Sequence, residues 1–306
     1  MKTLIFILLS IPCVAQGVSA AIQGVDVHYA GAYSDGSFAN LVIESAMKPT
    51  YGVFEKIPYV FYDNPNSRTL VVITQGVGEY ATSFLVSDLP NSKINAAGTY
   101  ATYASKGKIY PFDILVAQSY KSPTASQPAQ TYLMASLTAL IKSFSPTKVI
   151  GTGYSYGGQL MLGFYLNSII GGKNAFIGNE IFDGYVIMDA KAPGTPDWCK
   201  NDKPSILICA TGGLYYYPLK NVQRDKEKYC PTEQSPVFYS IAGGTHATSW
   251  LHGYDESTVE GKAVMDFIKS FEVVPPPIQC TSELDTLNMQ ATFYTSTDTL
   301  KFKIIK

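Results

Sequence analysis

The sequence predicts an α/β fold, a mostly parallel sheet with helices on both faces, followed by a short β-rich C-terminal extension. Two observations predict it. From Ile57 onward, short apolar runs rich in Val and Ile alternate with longer stretches of helical periodicity. The runs are also short, four or five residues each, as buried strands should be.

The strands read, in order, as Tyr59 to Tyr62, Leu70 to Thr74, Ile114 to Ala117, Lys148 to Thr152, Tyr185 to Met188, Ser205 to Cys209 and Val237 to Ile241. Between the third and fourth, Thr131 to Phe144 sets Leu133, Leu137, Leu140 and Ile141 at three- and four-residue spacing, an amphipathic crossover helix. Gly158 to Ile170 does the same with Leu160, Met161, Phe164 and Tyr165. Ser257 to Phe271 closes the domain with Val264, Phe267, Ile268 and Phe271. Pro275, Pro276 and Pro277 then break any helix and mark a stiff linker at 274–278. The tail, 279–306, carries two or three alternating segments such as Ala291 to Tyr294 and Leu300 to Ile304, too few to fold alone.

At the other end, Lys2, an apolar run from Leu4 to Val14 and the small residues Val18-Ser19-Ala20 have the layout of a cleavable export signal over 1–20. That run is too short for a permanent anchor, and no later stretch reaches the roughly 20 apolar residues of a span. The expectation is an exported chain, periplasmic or secreted, with no membrane contact after cleavage. Residues 21–55 are polar and Gly-rich and read as an edge hairpin or cap, which leaves 56–273 as the main domain.

The formal charge is −1 and the basic residues are scattered, so the footprint of a nucleic-acid binder is missing. Four cysteines follow the signal: Cys199, Cys209, Cys230 and Cys280. Oxidising conditions outside the cell favour pairing. Cys199 and Cys230 flank one strand and are the favoured pair, Cys209 lies inside that strand as a buried thiol, and all-free cysteines are the alternative. His and Cys do not cluster at ligand spacings, so no metal or cofactor is implied.

The sharpest motif is Gly153-Tyr154-Ser155-Tyr156-Gly157, between the strand Lys148 to Thr152 and the helix from Gly158. A serine nucleophile needs its hydroxyl thrust out of a tight strand-to-helix turn, and small residues two positions either side let that turn close. Such a hydroxyl is barely ionised at neutral pH and requires a base. His246, just after the last strand, stands where the base is expected; His252 shares its loop, and His28 precedes the whole sheet. Gln75-Gly76-Val77-Gly78-Glu79 follows an earlier strand and supplies a Gly-rich loop. The Val77 and Tyr156 amides are the expected oxyanion donors, with Gln75 or Glu79 holding the loop in shape.

The acid is harder to place. The loop after Ser205 to Cys209, where it is usual, reads Ala210-Thr211-Gly212-Gly213-Leu214-Tyr215-Tyr216-Tyr217 and has no carboxylate. Asp189, at the end of the preceding strand, is the first candidate; Asp225 and Glu227 are runners-up, and a Ser-His dyad remains open.

The loop Val71 to Glu79, the elbow Gly153 to Gly157 and the segment His246 to Trp250 resemble the α/β-hydrolase superfamily. Within it they resemble exported esterases similar to dienelactone hydrolases and polyhydroxybutyrate-depolymerase-like proteins. The resemblance spans Ile57 to Phe271 and implies ester hydrolysis through a Ser155 acyl-enzyme on a small-molecule or polymer-linked ester. Such relatives usually carry histidine where Gln75 stands and aspartate where Gly212 to Tyr217 stand. Tyr154, Tyr215 and Trp250 are the expected substrate contacts at the cleft mouth. A catalytically silent relative that binds a glycan or polymer, and a serine peptidase with the same machinery, are the alternatives.

Overall fold

A computed structural model describes residues 47–272, except 65–66, 77–78, 80–82, 96–97, 119–126, 167–178, 192–198, 200–201 and 232–233, together with four strands outside that range. The segments read as an export signal and a Pro-rich linker, and Val77, lie outside the described residues. The compact unit is Met47–Val273.

Its sheet has eight strands: β1 (Pro49–Phe54), β2 (Ile57–Tyr62), β3 (Thr69–Thr74), β4 (Asp113–Ala117), β5 (Lys148–Tyr154), β6 (Gly184–Met188), β7 (Ser205–Ala210) and β8 (Val237–Ile241). Their spatial order is β8-β7-β6-β5-β3-β4-β2-β1. β1 and β2 pair antiparallel, and β2 runs antiparallel to β4. The remaining neighbours are parallel. The sheet starts earlier than the expected residue 56. β1 lies in the segment read as edge hairpin or cap; it does not stand out as a strand of its own because its half-exposed edge position carries Pro, Thr and Gly rather than an apolar run.

Among the described residues six α-helices accompany the strands: α1 (Tyr100–Ala104), α2 (Gln127–Ser143), α3 (Ser155–Tyr165), α4 (Tyr216–Tyr229), α5 (His246–Gly253) and α6 (Val259–Lys269). Successive strand residues point to opposite faces, and both faces are covered. Val71, Ile73, Ile150, Val186 and Met188 pack with Tyr100 of α1 and Val264 and Ile268 of α6. Leu70, Val72, Val149, Ile187 and Leu207 pack with Leu137 of α2, Leu160 and Phe164 of α3 and Leu219 of α4.

Four helices differ from expectation. The five-residue α1, and α5, where His246 and His252 read as sharing a loop, are not read as helices. α3 begins at Ser155 itself, three residues before Gly158, because Ser155 is the first residue of the turn. α4 occupies what reads as loop: it is strongly polar, with only Leu219, Val222 and Lys226 buried, so apolar spacing does not reveal it. A disulfide joins Cys199 to Cys230, and Cys209 is a buried free thiol.

Outside this unit, Asp26–Tyr29 pairs antiparallel with Leu41–Glu44, a hairpin within the segment read as hairpin or cap. Gln290–Ser296 pairs antiparallel with Thr299–Ile305, two strands in the β-rich tail. No helix of the described residues is long and apolar enough to cross a membrane.

Candidate active site

At the C-terminal end of β5 the chain turns directly into α3, and Ser155 takes φ 53 to make the turn. That is the left-handed region, costly for a residue with a Cβ and found where a site demands it. The flanking glycines are there for space. A Cβ on Gly157 would overlap the Thr74 carbonyl, and one on Gly153 would stand 2.5 Å from the Gly157 carbonyl oxygen. The Thr74 hydroxyl donates to the Gly157 carbonyl at 2.9 Å, tying the end of β3 to the elbow. No side chain caps the N-terminal end of α3, to which Ser155 and the Tyr156 amide belong. Its field favours developing negative charge.

Asp189 follows β6 and is fully buried, with φ 39. Its Oδ2 lies 2.6 Å from Nδ1 of His246. Its Oδ1 accepts the Tyr215 N–H at 2.8 Å and the Cys209 thiol at 3.2 Å. Burial pushes that thiol well above its ordinary range, and the charge of Asp189 and its hydrogen bond push it further, so Cys209 stays protonated and can donate. His246 opens α5, with Thr245 as N-cap in a reciprocal capping box with Thr248. The imidazole stands edgewise to Trp250 at 5.0 Å and to Tyr215 at 5.9 Å.

Of the expected residues, the structure therefore brings Asp189, His246, Tyr215 and Trp250 together. Ser155 reaches this group through its neighbour Tyr154, whose ring stacks on Trp250 at 4.6 Å. Among the described residues no hydrogen bond joins the Ser155 hydroxyl to His246. Catalytic hydrogen bonds are commonly long before substrate arrives.

Several expectations need correction. Tyr154 does not line a cleft mouth: it is 1% exposed, because Trp250 stacks on its ring and Tyr254 meets it edgewise. Asp225 and Glu227 sit on α4, where Asp225 pairs with Arg224 at 2.6 Å, and neither meets His246. His252 stands in the last turn of α5, 3.4 Å from Glu260. His28 lies in the N-terminal hairpin, outside this unit.

The loop after β3 is held by side chains. The Gln75 carboxamide donates to the Ile94 carbonyl at 2.7 Å. Glu79 Oε2 accepts the Gly76 N–H at 3.2 Å and the Tyr154 hydroxyl. The Gln118 carboxamide donates to the Glu79 carbonyl at 2.6 Å. The sequence offers Gln75 or Glu79 as holding this loop, and both do; the parts played by Tyr154, Gln118 and Cys209 leave no local signal, because their contacts are long-range. No group of three His, Cys, Asp or Glu side chains able to hold a metal ion occurs among the described residues.

No family model matches the chain, and no curated protein matches it. Solved structures do. Carboxyl esterase 2 from the mycorrhizal fungus Tuber melanosporum superposes with a TM-score of 0.50 at 11% identity, over 78% of this chain and 89% of its own. Esterase 2 of Thermogutta terrifontis gives 0.44 at 12% identity over 74% and 94%. An alpha/beta hydrolase from the metagenome of sediments of the lagoon of Mar Chica, Morocco, gives 0.45 at 14% over 72% and 98%. At 11% identity the likeness to the Tuber melanosporum esterase speaks to the fold alone. The eight-stranded sheet, its order and this likeness together give the chain the α/β-hydrolase fold.

Proposed function

We propose that this chain is a serine hydrolase that cleaves carboxylic esters through an acyl-enzyme on Ser155. The observation that carries the reading is the 2.6 Å contact between Asp189 and His246 Nδ1 in the neighbourhood of a serine held at positive φ. A carboxylate on Nδ1 fixes the tautomer that leaves Nε2 free to take a proton. His246 then removes the Ser155 proton as the hydroxyl oxygen bonds to the ester carbonyl carbon. The resulting imidazolium, stabilised by Asp189, returns the proton to the departing alcohol. Water repeats the sequence on the acyl-enzyme and releases the acid.

The negative charge that forms on the carbonyl oxygen is met by the Tyr156 amide, in the first turn of α3, with the Val77 amide as the second donor. Each such donor is worth about 10²–10³ in kcat. Tyr215 and Trp250, both half-buried beside His246, supply the aromatic substrate contacts. The Cys199–Cys230 disulfide supports export to an oxidising compartment.

A silent binding protein would be favoured by a missing acid and an aromatic cleft; the contact of Asp189 with His246 supports the hydrolase reading instead. Ester and peptide bonds share this machinery, and comparison of aryl ester with anilide substrates separates them. The direct test is labelling of the full chain with a fluorophosphonate, read by intact mass and peptide mapping, with Ser155→Ala and His246→Ala in parallel. One adduct on Ser155, lost in the first variant and slowed in the second, is expected. Folded protein that takes no adduct overturns the assignment.

A further inference from the structure

We propose that Glu79 is a positioning residue for the reaction: one carboxylate oxygen takes the Gly76 N–H and the Tyr154 hydroxyl together, and so holds the loop after β3 against the nucleophile's turn. The proposal rests on the serine-hydrolase reading and adds to it a residue that never touches substrate.

Glu79 is tied to three strand ends at once. Gly76 follows β3, Tyr154 ends β5 and immediately precedes Ser155, and Gln118, which donates to the Glu79 carbonyl, follows β4. The loop it holds is in contact with the nucleophile: a Cβ built on Gly76 would stand 3.2 Å from Cβ of Ser155 and 3.1 Å from the Tyr154 ring. The Glu79 N–H donates to the Gly76 carbonyl at 3.3 Å, so the turn from Gly76 to Glu79 is closed by its backbone as well as by the side chain.

On its other side the clamp continues into the base. Tyr154 stacks on Trp250, and Trp250 abuts the His246 imidazole. A shift of the Tyr154 ring therefore displaces both Ser155, through the chain, and His246, through the indole. Reacting groups must be held to about 0.5 Å, and a misplacement of about 1 Å costs on the order of 10²-fold in rate.

A neutral side chain would fill this space without loss of solvation. Burial pushes the Glu79 carboxyl up from its ordinary range, and the Tyr154 hydroxyl, the Gly76 N–H and the charge of Lys93 act against that push. The carboxylate's hold on Gly76 also removes that amide from the set that could meet substrate, leaving oxyanion donation to Tyr156 and to residues beyond Gly76.

The test uses the full chain with Glu79→Ala, Glu79→Gln and Tyr154→Phe. For each, kcat and KM on p-nitrophenyl butyrate, the fluorophosphonate labelling rate at Ser155 and the thermal midpoint are measured. Loss of the clamp is expected to lower kcat and the labelling rate by about tenfold or more in Glu79→Ala, with KM within about threefold. Glu79→Gln keeps an acceptor oxygen in place and is expected to recover most of that loss, while Tyr154→Phe loses one of the two donors and falls between. Folded Glu79→Ala with wild-type kcat and labelling overturns the clamp, as does a Glu79→Gln defect equal to that of Glu79→Ala. If wild-type Ser155 takes no label, the hydrolase reading itself fails, a result distinct from either of these.

Discussion

Asp189 reaches His246 from the end of β6, across the end of β7, which stands between β6 and β8 in the sheet. The carboxylate that orients the proposed base thus comes from a strand end two places away from the histidine's own. Asp189→Asn keeps an acceptor for the Tyr215 N–H but places an amide on Nδ1, which stabilises the wrong imidazole tautomer. The expected result is a fall in kcat of about 10³–10⁴ with little change in thermal midpoint. Steady-state kinetics alongside calorimetry check it, and a variant with wild-type kcat would falsify the role of Asp189.

The reach of Asp189 explains the loop after β7. A Cβ on Gly213 would overlap Oδ2 of Asp189 and stand 2.9 Å from the Ala210 carbonyl oxygen. Gly212 donates its N–H to the Gly244 carbonyl at 3.1 Å, which brings this loop against the one that carries His246. Gly213→Ala is expected to push the carboxylate off His246. Activity falls by about 10²-fold, and stability by about 1–3 kcal/mol, the ordinary cost of an overpacked methyl. A crystal structure of the variant with Asp189 and His246 still in contact, and full activity, would count against this account.

The same residues show what the sequence makes legible and what it does not. β3 to β7 declare themselves because strands covered on both faces are largely apolar, as in Leu70 to Ile73, while β8, at the sheet edge, is read from its short Val-Phe-Tyr run. The elbow is legible because its chemistry is local: strand, turn, two glycines and helix lie within a dozen residues. Asp189 is legible only as a carboxylate at a strand end, since its meeting with His246 spans 57 positions. β1 and α4 escape notice for a shared reason, as each buries little apolar surface and leaves no period to read. The burial of Tyr154 is hidden because a tyrosine beside a nucleophile reads equally well as wall or as core.

Asp113, at the start of β4, has its carboxyl pushed up to about 7, chiefly by burial and further by the charge of Asp63, against the Asn64 N–H and Arg68. The folded state thus holds this proton more tightly than the unfolded chain. Stability from this group is fully present below about pH 4 and is lost as pH rises toward 7, with no further change above. Asp113→Asn keeps an acceptor for the Asn64 N–H, 2.7 Å away, and removes the titration. Because the group is partly wetted, the gain above neutrality is about 1–2 kcal/mol. Urea unfolding at about pH 5 and about pH 8 should show a smaller difference in the variant than in the wild type, and equal differences would contradict the assignment.

The Cys199–Cys230 bond closes a loop of sequence separation 31 and secures the C-terminal end of α4, where Cys230 is the cap. Closing a loop of that length restricts the unfolded chain by about 3–4 kcal/mol. For a unit of this size that corresponds to a thermal midpoint lower by roughly 10 °C in Cys199→Ser/Cys230→Ser. The catalytic consequence should be much smaller. α4 is 14 residues long, so its capped end lies about 21 Å from Tyr215, whose N–H holds Asp189 at the other end. Tyr215 is also fixed locally, since its carbonyl accepts the Leu219 N–H at 2.9 Å and Leu219 is buried against the sheet. Well below the midpoint, the double variant should therefore keep kcat within about twofold while losing heat resistance, because distant contacts with no shared partner act independently. Parallel loss of both would mean that α4 transmits strain from the disulfide to Asp189.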